Sequence, residues 1–205
     1  MPELDDAIEL LGHNKSPKRR SGAKRLRKLK DPSAGPHLLN ALQQEIQDPR
    51  TWETQYQMIM AIGECKYREA LPFLEELSGR KFEATMVYLA LGDALLRLSF
   101  RHENDVSRAL EFMDGDNPML IDGALRAIAV LRMLPKENEI KSMVAFARAL
   151  SLDDGRRFWV AAAAAGWVMP EVREFLSECA ESPRQDLQEA AEYSLAGKYK
   201  NWHPL

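Results

Sequence analysis

The stretch LRKLKDPSAGPHLLNAL, residues 26–42, decides the fold class, because its layout occurs again in IGECKYREALPFLEELS, residues 62–78. In both stretches the apolar end of a helix is followed by a polar break, a small residue, a proline two places on and an amphipathic run. Proline has a helical φ and lacks the N–H that the first turn of a helix leaves unpaired, so it marks the start of a second helix. The layout therefore predicts a helical hairpin that is written twice.

The same layout recurs along the chain with a period in the mid-thirties. Positions equivalent to Leu26 follow at intervals of 31 to 36 residues: Ile62, Leu95, Val130, Ala164 and, less clearly, Leu195. One hairpin cannot bury its own apolar stripe, whereas stacked hairpins share a continuous core. The period therefore predicts an all-α solenoid, and the lack of sustained period-2 alternation argues against strands.

Prolines indicate where the helices begin. A capping side chain directly precedes proline at four predicted starts: Ser16-Pro17, Asp48-Pro49, Asn117-Pro118 and Ser182-Pro183. Pro135 and Pro170 mark two further starts without such a cap. We predict one domain over residues 1–205, with a leading helix at 3–11, hairpins at 16–46, 50–78, 82–113, 118–149 and 155–181, and a C-terminal cap at 183–199.

These hairpins resemble the HEAT repeat family. The resemblance rests on RLRKLKDPSAGPHLLNAL (25–42), AIGECKYREALPFLEEL (61–77) and, less cleanly, AAGWVMPEVREFLSECA (164–180), and it extends over about residues 16–197. The third and fourth hairpins depart from the pattern, because the third lacks the proline and the fourth needs about two extra residues in its turn. The resemblance implies a right-handed α-solenoid (superhelix) of five to six HEAT-like hairpins. It does not select a function, since HEAT arrays serve as scaffolds, adaptors, inhibitors, lyase-like chaperones and, in one branch, DNA glycosylases.

The composition is that of an ordinary folded protein, with 45% apolar and 29% charged residues. No apolar run approaches the ~18 residues that span a bilayer. The start, MPELDDAIELLGHNKS, lacks the basic region and cleavage site of a secretory signal, so we expect a cytoplasmic protein. Cys65 and Cys179 both sit in apolar helical patterns without a CxxC partner, and we expect buried free thiols.

The second helices of the hairpins, which usually line the inner face of such solenoids, are acidic. Together they carry a net charge of −10, and an acidic face repels phosphate. We therefore predict a non-enzymatic module that holds a basic protein, as an inhibitor, immunity or adaptor protein. We expect a monomer that binds neither nucleic acid nor membrane. The candidate contact residues are Glu75, Glu76, Arg108, Glu111 and Glu178.

A strongly basic segment, NKSPKRRSGAKRLRKLK, precedes this acidic region. It has nine basic residues and no acid between Asn14 and Lys30, and it lacks the aromatic residues that would stack on bases. We expect it to form a solvated outer face of the first helix. The alternative is a contact for an acidic partner or a nucleic-acid backbone, with four candidate residues: Lys18, Arg19, Arg20 and Lys24.

Motifs for chemistry do not occur. There is no HExxH, GxGxxG, P-loop or GxSxG. The four histidines, His13, His37, His102 and His203, are scattered along the sequence. We therefore predict no metal, no cofactor and no catalytic residue.

Two carboxylates in apolar stretches, Asp93 and Asp122, are expected to bond to the next repeat. Alternatively, Asp122 lies in an exposed first turn, where the helix dipole favours it. An enzyme of the DNA glycosylase type, or a lyase-like chaperone of a chromophore, would place either carboxylate near Trp52 or Tyr88. A purely structural role in a larger complex, with the last hairpin exposed and Trp202 uncovered, is the third alternative.

Overall fold

Twelve α-helices joined by short turns make up the part of the chain that the computed structural model describes, residues 2–200. This range contains no β-strand, which confirms the predicted all-α fold class. In chain order the helices are α1 (Pro2–Leu11), α2 (Ser16–Leu29), α3 (Gly35–Glu45), α4 (Trp52–Glu64), α5 (Leu71–Ser78), α6 (Met86–Ser99), α7 (Ser107–Met113), α8 (Pro118–Leu131), α9 (Glu137–Ala149), α10 (Gly155–Ala163), α11 (Pro170–Ala180) and α12 (Gln185–Leu195).

Two of the predicted caps act as expected at helix starts. The Oδ1 atom of Asn117 accepts hydrogen bonds from the backbone N–H groups of Met119 and Leu120, at 3.1 and 3.2 Å, and caps α8. The carboxylate of Asp48 accepts from the N–H of Arg50 at 3.1 Å and begins the short 3₁₀ turn that leads into α4. In both cases the side chain satisfies a donor that has no partner inside the helix.

The other two predicted caps have different roles. Ser16 is the first residue of α2 and not its cap, since its Oγ donates to Glu45 at 3.0 Å instead. The helix predicted to start at 183 begins two residues later, at Gln185, because Ser182 accepts from the N–H of Arg184 in a turn before the helix. These corrections shift helix starts by one or two residues and leave the hairpins intact.

The chain divides into two compact units, Met1–Ser99 and Phe100–Leu205. In the first unit α1, α2, α4 and α6 pack side by side in chain order, while α3 and α5 lie against α4 and α6. In the second unit α8, α10 and α12 form one row, and α7, α9 and α11 form another. Each unit is therefore a stack of helical hairpins, as the period predicts. The single domain over residues 1–205 and the right-handed superhelix remain predictions.

The turns between paired helices repeat a common conformation. Lys30, Lys66 and Arg132 each end a first helix with a left-handed backbone, at φ values of 55°, 56° and 53°. Gly197 does the same after α12, at 65°. The spacing of these residues follows the repeat, because the helix ends at the same point of each unit of sequence.

Aromatic side chains join one turn to the turn of the preceding hairpin. The ring of Tyr67 lies directly on Gly35, where a Cβ atom would collide with it. The indole N–H of Trp167 donates to the carbonyl oxygen of Met133 at 3.0 Å. These contacts stack the turns of successive hairpins within each unit.

Candidate protein-binding surface

Ion pairs join the second helices α9 and α11 across their exposed face. The Nζ atom of Lys141 lies 3.4 Å from Glu171. Arg148 lies 3.4 Å from Glu174 and 2.6 Å from Glu178. We call these five residues the α9–α11 ladder. The ladder places Glu178, one of the predicted contact residues, beside Arg148, which is not among the predicted contact residues.

Arg148 serves two carboxylates at once. Its side chain is 33% exposed, whereas those of Glu174 and Glu178 are 67% and 43% exposed. The hydrogen bond to Glu178 raises the pKa of Arg148, which is charged at every physiological pH. Two carboxylates therefore share one positive charge, and one negative charge remains facing solvent. Exposed pairs of this kind contribute only ~0–1 kcal/mol to stability, so the main consequence is the charge that the surface presents.

Arg108 and Glu111 lie together on α7, in the same row of helices as the ladder. Their side chains pair at 2.9 Å, and Glu111 is 54% exposed. The guanidinium of Arg108 also covers the ring of Phe112, at 5.0 Å from its centroid. Arg108, Glu111 and Glu178 therefore lie on helices of one row, α7–α9–α11, and their role as contact residues stays a prediction.

Glu75 and Glu76 lie on α5, in the first unit, and both are exposed. Glu76 pairs with Arg80 at 2.6 Å, one turn further along the chain. The five predicted contact residues are thus placed in two groups, one in each unit. Glu76 pairs with Arg80 in the first unit, whereas Glu111 and Glu178 pair with Arg108 and Arg148 in the second.

The basic helix α2 is less solvated than its composition indicates. Arg19 forms a two-pronged pair with Glu45, at 2.5 and 2.9 Å, and Arg20 pairs with Glu53 of α4. Lys18 and Lys24 are exposed. Of the four candidate residues for an acidic partner, these two lysines are the ones that point their charge to solvent.

Arg27 is a buried member of the basic segment that sequence reasoning missed. Its side chain is 5% exposed, and it pairs with Glu64 at 3.1 Å and donates to Gln57 at 3.2 Å. The signal was its position, since it follows Leu26 directly and lies one turn after Ala23, on the edge of the apolar stripe. The expected solvated outer face is therefore wrong for Arg27, because its partners Glu64 and Gln57 lie on the neighbouring helix α4.

Asp93 is fully buried, and its charge is balanced inside its own helix. Its carboxylate lies 2.5 Å from the guanidinium of Arg97, which is 8% exposed. The sequence predicted a bond to the next repeat, whereas this ion pair is between residues four apart on α6. Positions i and i+4 lie on the same helix face, which brings the two groups together.

Asp122 connects two neighbouring hairpins. It lies on α8 and lines a cavity of about 370 Å³ together with Asp154 and Arg156. Burial raises its pKa to about 6, while a hydrogen bond from Trp159 of α10 acts in the opposite direction. The predicted bond to the next repeat is confirmed. The alternative of an exposed first turn is wrong, because Asp122 is the fifth residue of α8 and is only partly exposed.

The aromatic residues that an enzyme was expected to use have other contacts. Trp159 is the aromatic partner of Asp122. The hydroxyl of Tyr88 donates to the carbonyl of Arg80 at 2.7 Å and accepts from the N–H of Phe82 at 3.0 Å. Trp52 is 37% exposed at the start of α4. This geometry gives Tyr88 a structural role, closing the turn before α6.

The two cysteines are free thiols in the core, as expected. Burial raises the pKa of Cys65 and of Cys179 to about 11, which makes both unreactive near neutral pH. Within residues 2–200, no three His, Cys, Asp or Glu side chains are grouped so as to hold a metal ion. The predictions that concern Trp202 and His203 lie outside the described residues.

No helix among the described residues is long and apolar enough to cross a membrane.

Comparison with known proteins agrees with the repeat pattern. The profile of the PBS lyase HEAT-like repeat matches residues 18–44, which contain most of α2 and α3. This match confirms the predicted resemblance to HEAT repeats, and it falls on the first hairpin. A search of curated proteins finds no match.

Two solved structures are reported as similar to this chain. Human deoxyhypusine hydroxylase in complex with glycerol has 17% identity and a TM-score of 0.41, with 95% of this chain and 83% of that chain covered. A designed armadillo repeat protein has 14% identity and a TM-score of 0.45, with 95% and 99% covered.

Proposed function

We propose that this chain is a non-enzymatic module that binds a basic protein through acidic side chains on its second helices. The observation that carries the proposal is the sharing of Arg148 by Glu174 and Glu178, which leaves one negative charge on an exposed helix row. Glu111 on α7 lies in the same row. A row of stacked second helices offers the broad surface that repeat proteins use for protein partners.

Charge on this surface favours recognition more than tight binding. An approaching lysine or arginine side chain meets Glu174, which is 67% exposed and can therefore pair while it remains hydrated. Complementary charge speeds the encounter and rejects acidic partners, while contributing modestly to affinity. Such an interaction weakens as salt screens it over a Debye length of ~10 Å at 0.1 M.

The proposal extends to the role of the interaction. We propose that it acts in the cytoplasm as a monomer, as an inhibitor or immunity protein that covers a basic enzyme, or as an adaptor. Glu75 and Glu76, beside Arg80, offer a second acidic contact in the first unit. The partner would then be held by the second helices of either unit.

The test is an affinity capture from native cell lysate with a charge-reversed variant. The full chain is immobilised, and proteins and nucleic acids bound at low salt and released at high salt are identified. Glu174→Lys with Glu178→Lys changes the ladder. Glu103→Lys with Glu192→Lys is the matched control, because both residues are exposed and lie off the second-helix row.

We expect a basic protein that the ladder variant loses and the control variant retains. Glu75→Lys with Glu76→Lys shows whether the first unit contributes. Equal capture by the ladder variant and the control would contradict the proposal, and so would capture of nucleic acid in place of protein.

A further inference from the structure

An apolar groove lies at the C-terminal end of the second unit, between α11 and α12. It has a volume of about 510 Å³, and its walls include Val172 and Leu176 of α11 and Leu195 of α12. Val168 stands at its edge and is 97% exposed. A cluster of apolar side chains around such an opening is typical of a surface that binds another chain.

The helices α9 and α11 have equivalent buried positions, and this equivalence indicates which kind of segment the groove binds. Their buried residues correspond at a spacing of 32 positions: Ile140 with Val172, Met143 with Phe175, Val144 with Leu176, and Ala147 with Cys179. In this register Lys141 of α9 corresponds to Arg173 of α11. The two basic residues therefore occupy the same position on successive second helices.

Lys141 makes a contact between one second helix and the next. It pairs with Glu171, the second residue of α11, at 3.4 Å. Arg173 lines the groove, and its guanidinium makes no hydrogen bond or ion pair with any residue in the range 2–200. The same position is thus paired on α9 and unpaired on α11. No α-helix follows α12 within the described range.

We propose that this groove receives an amphipathic helix of another protein, which packs on α11 and α12 as α11 packs on α9. An acidic residue in the first turn of that helix pairs with Arg173, and its apolar face covers Val168 and Leu195. The acid is favoured there because the N-terminus of a helix stabilises negative charge. Since the groove and the α9–α11 ladder use different residues, this inference does not rest on the proposed function.

The test uses α11 itself as the probe, because it is the helix that makes the equivalent contact inside the protein. A fluorescein-labelled peptide of residues 169–181, with Cys179→Ser, is titrated with the full chain, and fluorescence anisotropy is recorded. We expect saturable binding that Arg173→Glu in the protein weakens about 5–10-fold, since a favourable pair becomes a like-charge repulsion. Glu171→Lys in the peptide has the same effect.

Combining the two changes restores the pair with its signs exchanged. We expect the affinity of the combined variants to return to within about 2-fold of the original, which a merely structural effect of either change would not produce. Arg101→Glu is the matched control, because Arg101 is exposed in the same unit and away from the groove. Val168→Asp is the second variant, which places a charge in the apolar surface that the helix covers. Because Val168 is 97% exposed, this change leaves the fold intact.

Four results would overturn the inference. They are the absence of saturable binding, an equal loss with Arg101→Glu, self-association of the chain that Arg173→Glu abolishes, and binding that appears only after residues 201–205 are removed. The last two would assign the groove to a second copy or to the chain's own end. Circular dichroism of each variant verifies that the helices are retained.

Discussion

The two units surround their buried guanidinium groups with different partners. In the first unit, buried guanidinium groups face carboxylates: Arg97 pairs with Asp93 at 2.5 Å, and Arg27 pairs with Glu64 at 3.1 Å. In the second unit Arg157, only 3% exposed, donates instead to the backbone carbonyls of Ala147 and Arg148, at 2.9 and 3.2 Å. The first unit therefore balances buried positive charge with negative charge, whereas the second surrounds it with neutral carbonyl groups.

The same contrast holds for the acids. Asp93 has a cationic partner, whereas the hydrogen bond that favours the ionised form of Asp122 comes from the neutral indole of Trp159. A neutral partner compensates burial less completely, which is why the pKa of Asp122 rises to about 6. The comparison predicts that loss of a charged partner destabilises the first unit, whereas the stability of the second unit depends on pH.

The largest effect is expected for Asp93→Ala in the first unit. It leaves the guanidinium of Arg97 buried without its carboxylate, and losing one partner of a buried pair costs about 3–5 kcal/mol. Urea denaturation followed by circular dichroism measures the change in the free energy of unfolding. Replacing both partners, Asp93→Leu with Arg97→Met, is expected to recover most of the loss, because no charge then remains buried. A double variant as unstable as the single one would show that the ion pair is not the cause.

The second largest effect is expected for glycine-to-alanine changes in the turns. Its size depends on how easily the side chain that the new methyl group meets can move. Gly35→Ala drives a methyl group into the ring of Tyr67, near its attachment point, and we expect a loss of about 1–3 kcal/mol. Gly166→Ala meets the hydroxyl end of Tyr199, which can move aside, so its cost is smaller. Gly12→Ala is the matched control, since its nearest neighbour is an oxygen at 3.6 Å. Equal melting temperatures for the three variants would contradict this packing.

The smallest effect, and the one specific to pH, is expected for Asp122→Asn in the second unit. Because the folded-state pKa of about 6 lies above the ordinary 3.8, stability is full below pH 3.8 and falls as pH rises through 6. The pKa of Asp122 is raised further by the charge of Asp154 and lowered by the charges of Arg126 and Arg156. Asparagine cannot ionise, so the variant gains about 1–2 kcal/mol at pH 8 and nearly nothing at pH 4.

Thermal unfolding between pH 4 and pH 8 measures this gain. Asp114→Asn is the control, since Asp114 is an exposed acid at the end of α7. A stability difference between Asp122→Asn and the original chain that is the same at every pH would be incompatible with a titrating carboxylate.

Much of the fold could be predicted from local features of the sequence. Prolines at 118 and 170 place the starts of α8 and α11 correctly, because their effect on the backbone is confined to the first turn. The stripe of Leu26, Ile59 and Ile62 is buried as its spacing predicts. These features depend only on neighbours within one or two helical turns.

The candidate surface could be predicted only in part, because its charges depend on pairs between helices. Glu178 and Glu111 were identified from composition, whereas their surroundings were not. Arg148 lies 30 positions before Glu178, and that pairing requires the register of α9 against α11. A sum of charges over segments counts Arg148 and Glu178 correctly but cannot show that they pair.

The regular spacing of these contacts also has a consequence for how the protein folds. Trp167 reaches back 34 positions to Met133, and Arg148 reaches forward 30 to Glu178. Within each unit the chain can therefore grow by adding one hairpin to the last, and every step closes a loop of about the same length. Amide hydrogen exchange should then show graded protection, strongest in α4 and α10, which have neighbours on both sides, and weakest in the terminal helices. Each hairpin is therefore expected to fold against the hairpin that is already formed beside it.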